Sequence, residues 1–123
     1  KKIVNFLKTQ KKINEILYPY KKGTENYANW KKYYSGSTGL FSVIIRSNNR
    51  NSIYKFINSL KLFGIGQSWG GFESLVLHQE HREIGTRKFL KLDKDEHLVR
   101  LHIGLEDPSD LIADIKQALK KLK

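Results

Sequence analysis

The stretch His97–Leu122, HLVRLHIGLEDPSDLIADIKQALKKL, contains the signals of a strand, a turn and a helix in direct succession. Its first seven residues alternate, which puts Arg100 and His102 on the side of a strand opposite to the apolar residues Val99, Leu101 and Ile103. Asp107-Pro108 is typical of an N-cap and the first residue of a helix. Apolar residues then recur at helical spacing at Leu111, Ile112, Ile115, Ala118, Leu119 and Leu122. The stretch therefore predicts a strand followed by an amphipathic helix.

The rest of the chain repeats these two kinds of element. Apolar and β-branched segments predict strands at residues 13–18, 40–46 and 74–78. Helical spacing predicts helices at residues 3–10, 24–34 and 53–60. Residues 63–71 and 79–97 show little regular signal, and no proline-rich or serine-rich linker divides residues 1–123. We predict one α+β domain, a small mostly antiparallel sheet with helices on one face.

The net charge of +11 is concentrated at the two ends of the chain. Residues 35–115 contain ten basic and ten acidic side chains, so the excess lies in residues 1–34 and 116–123. The C-terminal lysines lie at the end of the predicted helix, where cations offset the helix dipole. Lysine outnumbers arginine 18 to 5, whereas modules that read DNA bases depend on arginine. A small basic nucleic-acid-binding domain is an alternative function for this protein. We would expect such a domain to bind nucleic acid weakly and without specificity.

Missing residue types and segments exclude several classes of protein. The absence of cysteine excludes disulfides, thiolate zinc sites, iron–sulfur clusters and a cysteine nucleophile. No apolar run approaches the roughly 18 residues of a membrane span, and the start of the chain has no signal-peptide core. We therefore expect a cytoplasmic protein with no membrane partner. Methionine is absent and the chain begins with Lys1, so we expect the distal part of a longer polypeptide; a sequence trimmed at its start is the alternative.

Three familiar motifs fail on inspection. Gly64–Gly70, GIGQSWG, resembles a dinucleotide-binding GxGxxG, but Trp69 stands where the third glycine is required. His78 and His81 lack the HExxH spacing, so solvated loop histidines are favoured and no metal site is expected. Ser74 lacks the GxSxG context of a hydrolase nucleophile.

Two stretches contain more specific signals. Gln67–Leu75, QSWGGFESL, places two glycines beside a tryptophan and a serine, and glycines let a backbone approach a ligand or adopt positive φ. Val99–Asp107, VRLHIGLED, has a single arginine in mid-strand. Arg100 either faces water or an ion pair, or it forms a fork for a carboxylate or phosphate. The residues alone leave both interpretations open.

Together with Ser35–Ser42 (SGSTGLFS) and Asp110–Asp114 (DLIAD), these stretches resemble the Cys/Met-metabolism family of pyridoxal-phosphate enzymes, in the same order, over about residues 1–122. Within that family Trp69 and His102 resemble the bacterial cystathionine beta-lyases, whereas gamma-synthases and gamma-lyases tend to have SLGG and RLSVGIED. The resemblance implies the C-terminal small domain of a fold-type I enzyme.

The resemblance also implies a carbon–sulfur lyase of methionine biosynthesis and transsulfuration. Such an enzyme uses pyridoxal phosphate to eliminate homocysteine from cystathionine, leaving pyruvate and ammonia. Arg100 would bind the α-carboxylate of this small amino-acid substrate, and Ser68 and Trp69 would line the pocket beside it.

The groups that hold the cofactor would belong to a large domain preceding Lys1. No lysine of this chain stands in the context of the family's Schiff-base lysine. We therefore expect no catalytic and no cofactor-binding residue in the chain, no lyase activity of the chain alone, and homo-oligomers of the complete enzyme. The alternative is a free-standing non-catalytic remnant, or a partner-binding module of the same fold.

Overall fold

A computed structural model describes residues 1–80, 84–85 and 90–123. The strands in these residues are β1 (Ile13–Leu17), β2 (Leu40–Arg46), β3 (Gly64–Ile65), β4 (Leu75–Gln79) and β5 (Glu96–His102). They form one sheet in the order β1-β2-β5-β4-β3, so β5 lies at its centre. The strand predicted from the alternation around Arg100 is thus the middle of the fold.

The sheet is mixed, because its edge strand β3 runs parallel to β4. The other pairings, β1 with β2, β2 with β5 and β5 with β4, are antiparallel. The predicted α+β class is confirmed, but the expectation of a mostly antiparallel sheet is corrected. The strand β3 arises in residues 63–71, a segment with little regular signal, since two residues are too few to show alternation. It is held by hydrogen bonds from Gly64 N to Ser74 O at 2.9 Å and from Gly66 N to Val76 O at 3.3 Å.

The helices in the described residues are α1 (Lys2–Lys8), α2 (Glu25–Tyr33), α3 (Arg50–Asn58) and α4 (Pro108–Leu119). Three of them, α1, α3 and α4, share one hydrophobic core with the sheet. The largest fully buried apolar side chains of this core are Leu7, Val43, Ile45, Ile53, Val76, Val99, Leu101, Leu111 and Ile115. This arrangement confirms that helices cover one face of the sheet. The remaining helix, α2, packs elsewhere through Trp30, whose ring lies 4.5 Å from that of Tyr20.

The last helix forms as the sequence predicts. The Asp107 side chain accepts a hydrogen bond from Ser109 N at 2.7 Å, and Pro108 occupies the first helical position. The lysines at the end of this helix are exposed, which agrees with a solvated face. By contrast, α3 begins at Arg50, three residues before the predicted start, because Asn49 caps it by accepting from Asn51 N at 3.0 Å.

The buried Asp114 in α4 ties this helix to the segment after α3. Its carboxylate accepts from Lys61 N at 2.9 and 3.0 Å and from Leu62 N at 2.8 Å. Gln117 Nε2 also donates to it at 3.0 Å. These bonds satisfy backbone donors at the point where the chain leaves α3 and enters the segment that contains β3.

We expect Asp114→Ala to lower the free energy of unfolding by about 2–4 kcal/mol, since two backbone N–H groups would lose a charged acceptor. Urea unfolding followed by circular dichroism measures this difference. The matched control is Asp110→Ala, one turn earlier on the exposed face, where only a few tenths of a kcal/mol are expected. Equal effects of the two substitutions would contradict the role given to Asp114.

The other face of the sheet has a smaller apolar cluster, formed by Ile44, Ile84 and Leu98. Further along β5 the same face becomes polar at Arg100 and His102. Residues 66–72, which we call the glycine loop, cover this polar end through contacts with both side chains. The fold thus brings together the two stretches that had the most specific sequence signals.

Candidate functional site

The guanidinium of Arg100 is held by backbone carbonyls of the glycine loop. Its Nη2 donates to the oxygens of Gly66 at 3.1 Å, Gln67 at 2.7 Å and Ser68 at 3.2 Å. Its Nε and Nη1 make no hydrogen bond to the described residues, and no carboxylate of that part of the chain forms an ion pair with it. Because carbonyls are neutral acceptors, they orient the guanidinium without cancelling its charge. Arg100 therefore keeps donors for an anion.

Beside it, the buried His102 supports the middle of the glycine loop. Its Nε2 lies 3.1 Å from both Gly70 N and Gly71 O. The tautomer decides whether this nitrogen accepts from the first or donates to the second. Gly70 has a φ of +87°, a left-handed conformation that favours glycine. This conformation at Gly70 turns the loop over the His102 ring.

Ser74 and Glu106 join the end of the glycine loop to the turn after β5. Ser74, which is 1% exposed, donates from N to Glu106 Oε1 and from Oγ to Oε2, both at 2.8 Å. The same Oγ accepts from Gly104 N at 3.0 Å. A backbone bond from Leu105 N to Phe72 O at 2.8 Å runs alongside. We call the pair Ser74 and Glu106 the clamp.

The clamp makes stability depend on pH. Burial favours the neutral form of Glu106, but the hydrogen bonds from Ser74 outweigh it and hold the pKa below its ordinary value of 4.5. Because the pKa of Glu106 is lower in the folded state than in the unfolded state, its ionised form stabilises the fold at pH values above the unfolded-state pKa. This stabilisation is lost as the pH falls through the folded-state pKa.

We therefore expect the stability advantage of the wild type over Glu106→Gln to shrink between about pH 6 and pH 3. Urea unfolding of both proteins across this range measures the difference. Glu73→Gln, which changes an exposed carboxyl just outside the glycine loop, is the matched control. An advantage of the wild type that stays constant down to the lowest pH would contradict the ionised clamp.

Large apolar side chains surround this site and face solvent. Ile65, Trp69, Phe72 and Leu105 are 62–85% exposed. We call these four residues the apolar rim. They lie in β3, in the glycine loop and in the turn that the loop contacts, so they border the segment that holds Arg100.

The three residues predicted to bind substrate have different surroundings. Arg100 and Ser68 are brought together, but the contact is made by the Ser68 carbonyl and its side chain is exposed. Trp69 follows in the loop with its side chain exposed. Their roles toward a substrate stay predictions. The sequence reasoning missed the clamp, since a separation of 32 residues between its members leaves no local signal.

The motifs that failed in the sequence gain no support from the structure. Gly64 and Ile65 form a strand, whereas a dinucleotide-binding loop opens a helix. The described residues contain no group of three or more metal-ligating side chains. The expectation of a solvated loop histidine is wrong for His78, which lies in β4 with its side chain 6% exposed and its ring 5.5 Å from that of Tyr54, whereas His81 lies outside the described residues. Within the part of the chain that the structure describes, no helix is long and apolar enough to span a membrane.

Comparison with known proteins identifies the family to which the chain belongs. Residues 1–120 match the family described as Cys/Met metabolism PLP-dependent enzymes. The chain belongs to this family. The resemblance seen in the sequence motifs is thereby confirmed.

Relatives in the family include enzymes with different names. A cystathionine beta-lyase from Bordetella avium is 40% identical over 119 residues, 97% of this chain and 30% of that protein. An L-alanine/L-glutamate racemase from Wolbachia pipientis wMel is 35% identical over 121 residues, 98% of this chain and 30% of that protein. The crystal structure of metB from Corynebacterium glutamicum superposes with a TM-score of 0.78 at 34% identity, covering 97% of this chain and 31% of that one. The chain thus spans about 30% of the length of these relatives.

The described residues do not by themselves form a site for the family's cofactor. Pyridoxal phosphate needs a lysine amine for its Schiff base and donors for its phosphate. In the described part of the chain no lysine side chain is hydrogen-bonded to the glycine loop, and the loop groups that face Arg100 are carbonyl acceptors, which are not donors for a phosphate. The described site therefore offers the donors of one guanidinium, which suit a single anionic group such as a carboxylate.

Proposed function

We propose that this chain is the C-terminal, substrate-carboxylate part of a pyridoxal-phosphate-dependent carbon–sulfur lyase that converts cystathionine to homocysteine, pyruvate and ammonia. The single observation that supports this most is Arg100, a guanidinium oriented by three neutral carbonyls and left with N–H donors for an anion. A carboxylate matches such a planar donor group in both charge and shape.

In this proposal the chain's residues bind and orient the substrate. Arg100 pairs with the α-carboxylate and thereby fixes which bond at the substrate Cα is aligned for cleavage, an effect of orientation on rate. Ser68 and Trp69 border the carboxylate, and the exposed indole keeps water away from it. Pyridoxal phosphate supplies the electron sink of the reaction, and in this proposal the residues that hold it belong to the part of the polypeptide that the chain does not include.

The apolar rim is the surface that this remaining part would cover. Four large apolar side chains exposed around one loop form a patch of the kind that marks an interaction site. The chain spans about 30% of its relatives, so a much larger part of such a polypeptide is available to pack there. The complete enzyme would be a homo-oligomer.

A second candidate comes from the racemase relative, which is 35% identical over 121 residues. Racemisation of an amino acid also requires its carboxylate to be held, so Arg100 serves either reaction. Incubating the native polypeptide with L-cystathionine, and separately with L-alanine and L-glutamate, distinguishes them. Pyruvate release supports the lyase, and formation of D-alanine or D-glutamate supports the racemase.

The first experiment is the intact mass of the native polypeptide in its source cell, captured with an antibody to this chain. We expect a mass well above the 14.4 kDa of the 123 residues. A mass near 14.4 kDa, with no second chain bound, would contradict the enzyme and favour the non-catalytic remnant.

We also expect the isolated 123 residues to release no pyruvate from L-cystathionine when pyridoxal phosphate is added. The reason is that no lysine side chain of the described part is hydrogen-bonded to the candidate site. A coupled lactate dehydrogenase assay measures pyruvate, with the native polypeptide as the positive control. Turnover by the isolated chain above the cofactor-only background would overturn this expectation.

A further inference from the structure

Both ends of the glycine loop are attached to β4, but by different means. The first end leaves β3, whose backbone pairs with β4. The second end reaches β4 through Ser74, the residue before the strand, and there the clamp fastens it to the turn after β5. Between these ends lie the carbonyls of Gly66, Gln67 and Ser68 that hold Arg100 Nη2. The position of these carbonyls therefore depends on both attachments.

The clamp is suited to fixing a position. The Ser74 hydroxyl donates to Glu106 and accepts from Gly104 N, so its rotation is fixed by two bonds. The acceptor is a carboxylate, which makes the hydrogen bonds shorter and stronger than those between neutral groups. Ser74 is almost fully buried, so water does not reach its hydroxyl as an alternative partner.

We propose that Ser74 and Glu106 are positioning residues for Arg100: the clamp sets the place of the glycine loop, and the loop carbonyls set the direction of the guanidinium. This inference rests on the proposed function of Arg100 as the ligand of the substrate α-carboxylate. Neither clamp residue touches the substrate. A shift of the loop turns the guanidinium away from the carboxylate, and errors of about 1 Å in such placement can reduce rates a hundredfold.

The test is a double-mutant cycle in the native polypeptide with L-cystathionine as substrate. We expect Ser74→Ala to lower kcat/KM about tenfold in the wild-type background and less than twofold in the Arg100→Ala background, because coupled residues are non-additive. Ser52→Ala removes an equally buried serine hydroxyl from α3, on the helical face, and is the matched control. It should leave kcat/KM unchanged in both backgrounds. If Ser74→Ala does not fold, Glu106→Gln enters the cycle in its place.

The outcomes separate this inference from the proposed function. An equal loss on Ser74→Ala in both backgrounds overturns the positioning role and leaves the role of Arg100 intact. A wild-type kcat/KM in Arg100→Ala overturns the proposed function itself.

The crystal structure of the Ser74→Ala variant gives a readout independent of activity. We expect the distance from Arg100 Nη2 to Gln67 O to increase from 2.7 Å to beyond hydrogen-bonding range. An unchanged distance would overturn the inference even if the enzyme's substrate is another amino acid.

Discussion

Replacing Arg100 by lysine in the native polypeptide is expected to lower kcat/KM for cystathionine about a hundredfold, the size of loss that misplacing a reacting group by about 1 Å can cause. A lysine keeps the positive charge but has a compact ammonium in place of a planar fork. It cannot donate to the loop carbonyls through one nitrogen while offering two others to a carboxylate. Steady-state kinetics with purified, cofactor-loaded protein measures the change.

The control for this substitution is Arg46→Lys. Arg46 is an exposed arginine in β2 that pairs with Glu96 at 3.2 Å, and a lysine at this position keeps the positive charge. It should leave turnover unchanged. Near-normal turnover of the Arg100→Lys enzyme, with an unchanged melting temperature, would show that Arg100 does not bind the carboxylate.

Replacing Gly104 by alanine is expected to be the most destabilising single change at the site. A Cβ at this position would lie 2.0 Å from Phe72 O and 2.7 Å from Glu73 C, and both are backbone atoms. Overpacking of this kind costs about 1–3 kcal/mol, and occasionally more. We expect about 3 kcal/mol or more, because relief of the clash would separate the turn after β5 from the end of the glycine loop. Urea unfolding measures the loss.

The matched control is Gly71→Ala, in the loop that faces Gly104. A Cβ added there has no atom within 4 Å, so the free energy of unfolding should change by no more than about 0.5 kcal/mol. Equal stability of the Gly104→Ala and Gly71→Ala proteins would mean that the close approach of the two backbone segments is not a property of the protein in solution.

The sequence predicted those parts of the fold that depend on local periodicity and capping. The alternation around Arg100 predicted β5 and its two faces, and Val99 and Leu101 are indeed in the core. Asp107 and the apolar spacing after it predicted α4. Ordered motifs also sufficed to recognise the family, because four of them occur in the same order along one chain.

Other features of the fold could not be read from local signals. The strand β3 is too short to show a period, so the mixed character of the sheet was missed. The early start of α3 depends on one capping bond from Asn49 in a segment that composition alone described as a turn.

Neighbouring residues were enough to predict the class of fold, the family and the three residues expected at a substrate carboxylate. How Arg100 is held, and what fastens the loop that holds it, is seen only in the folded chain. Ser74 and Glu106 are 32 residues apart, as Ser68 is from Arg100. Hydrogen bonds over such separations depend on the pairing of β4 with β5. The local sequence pattern predicts that these strands exist. It does not predict which carbonyls of the glycine loop lie against the side chain of Arg100.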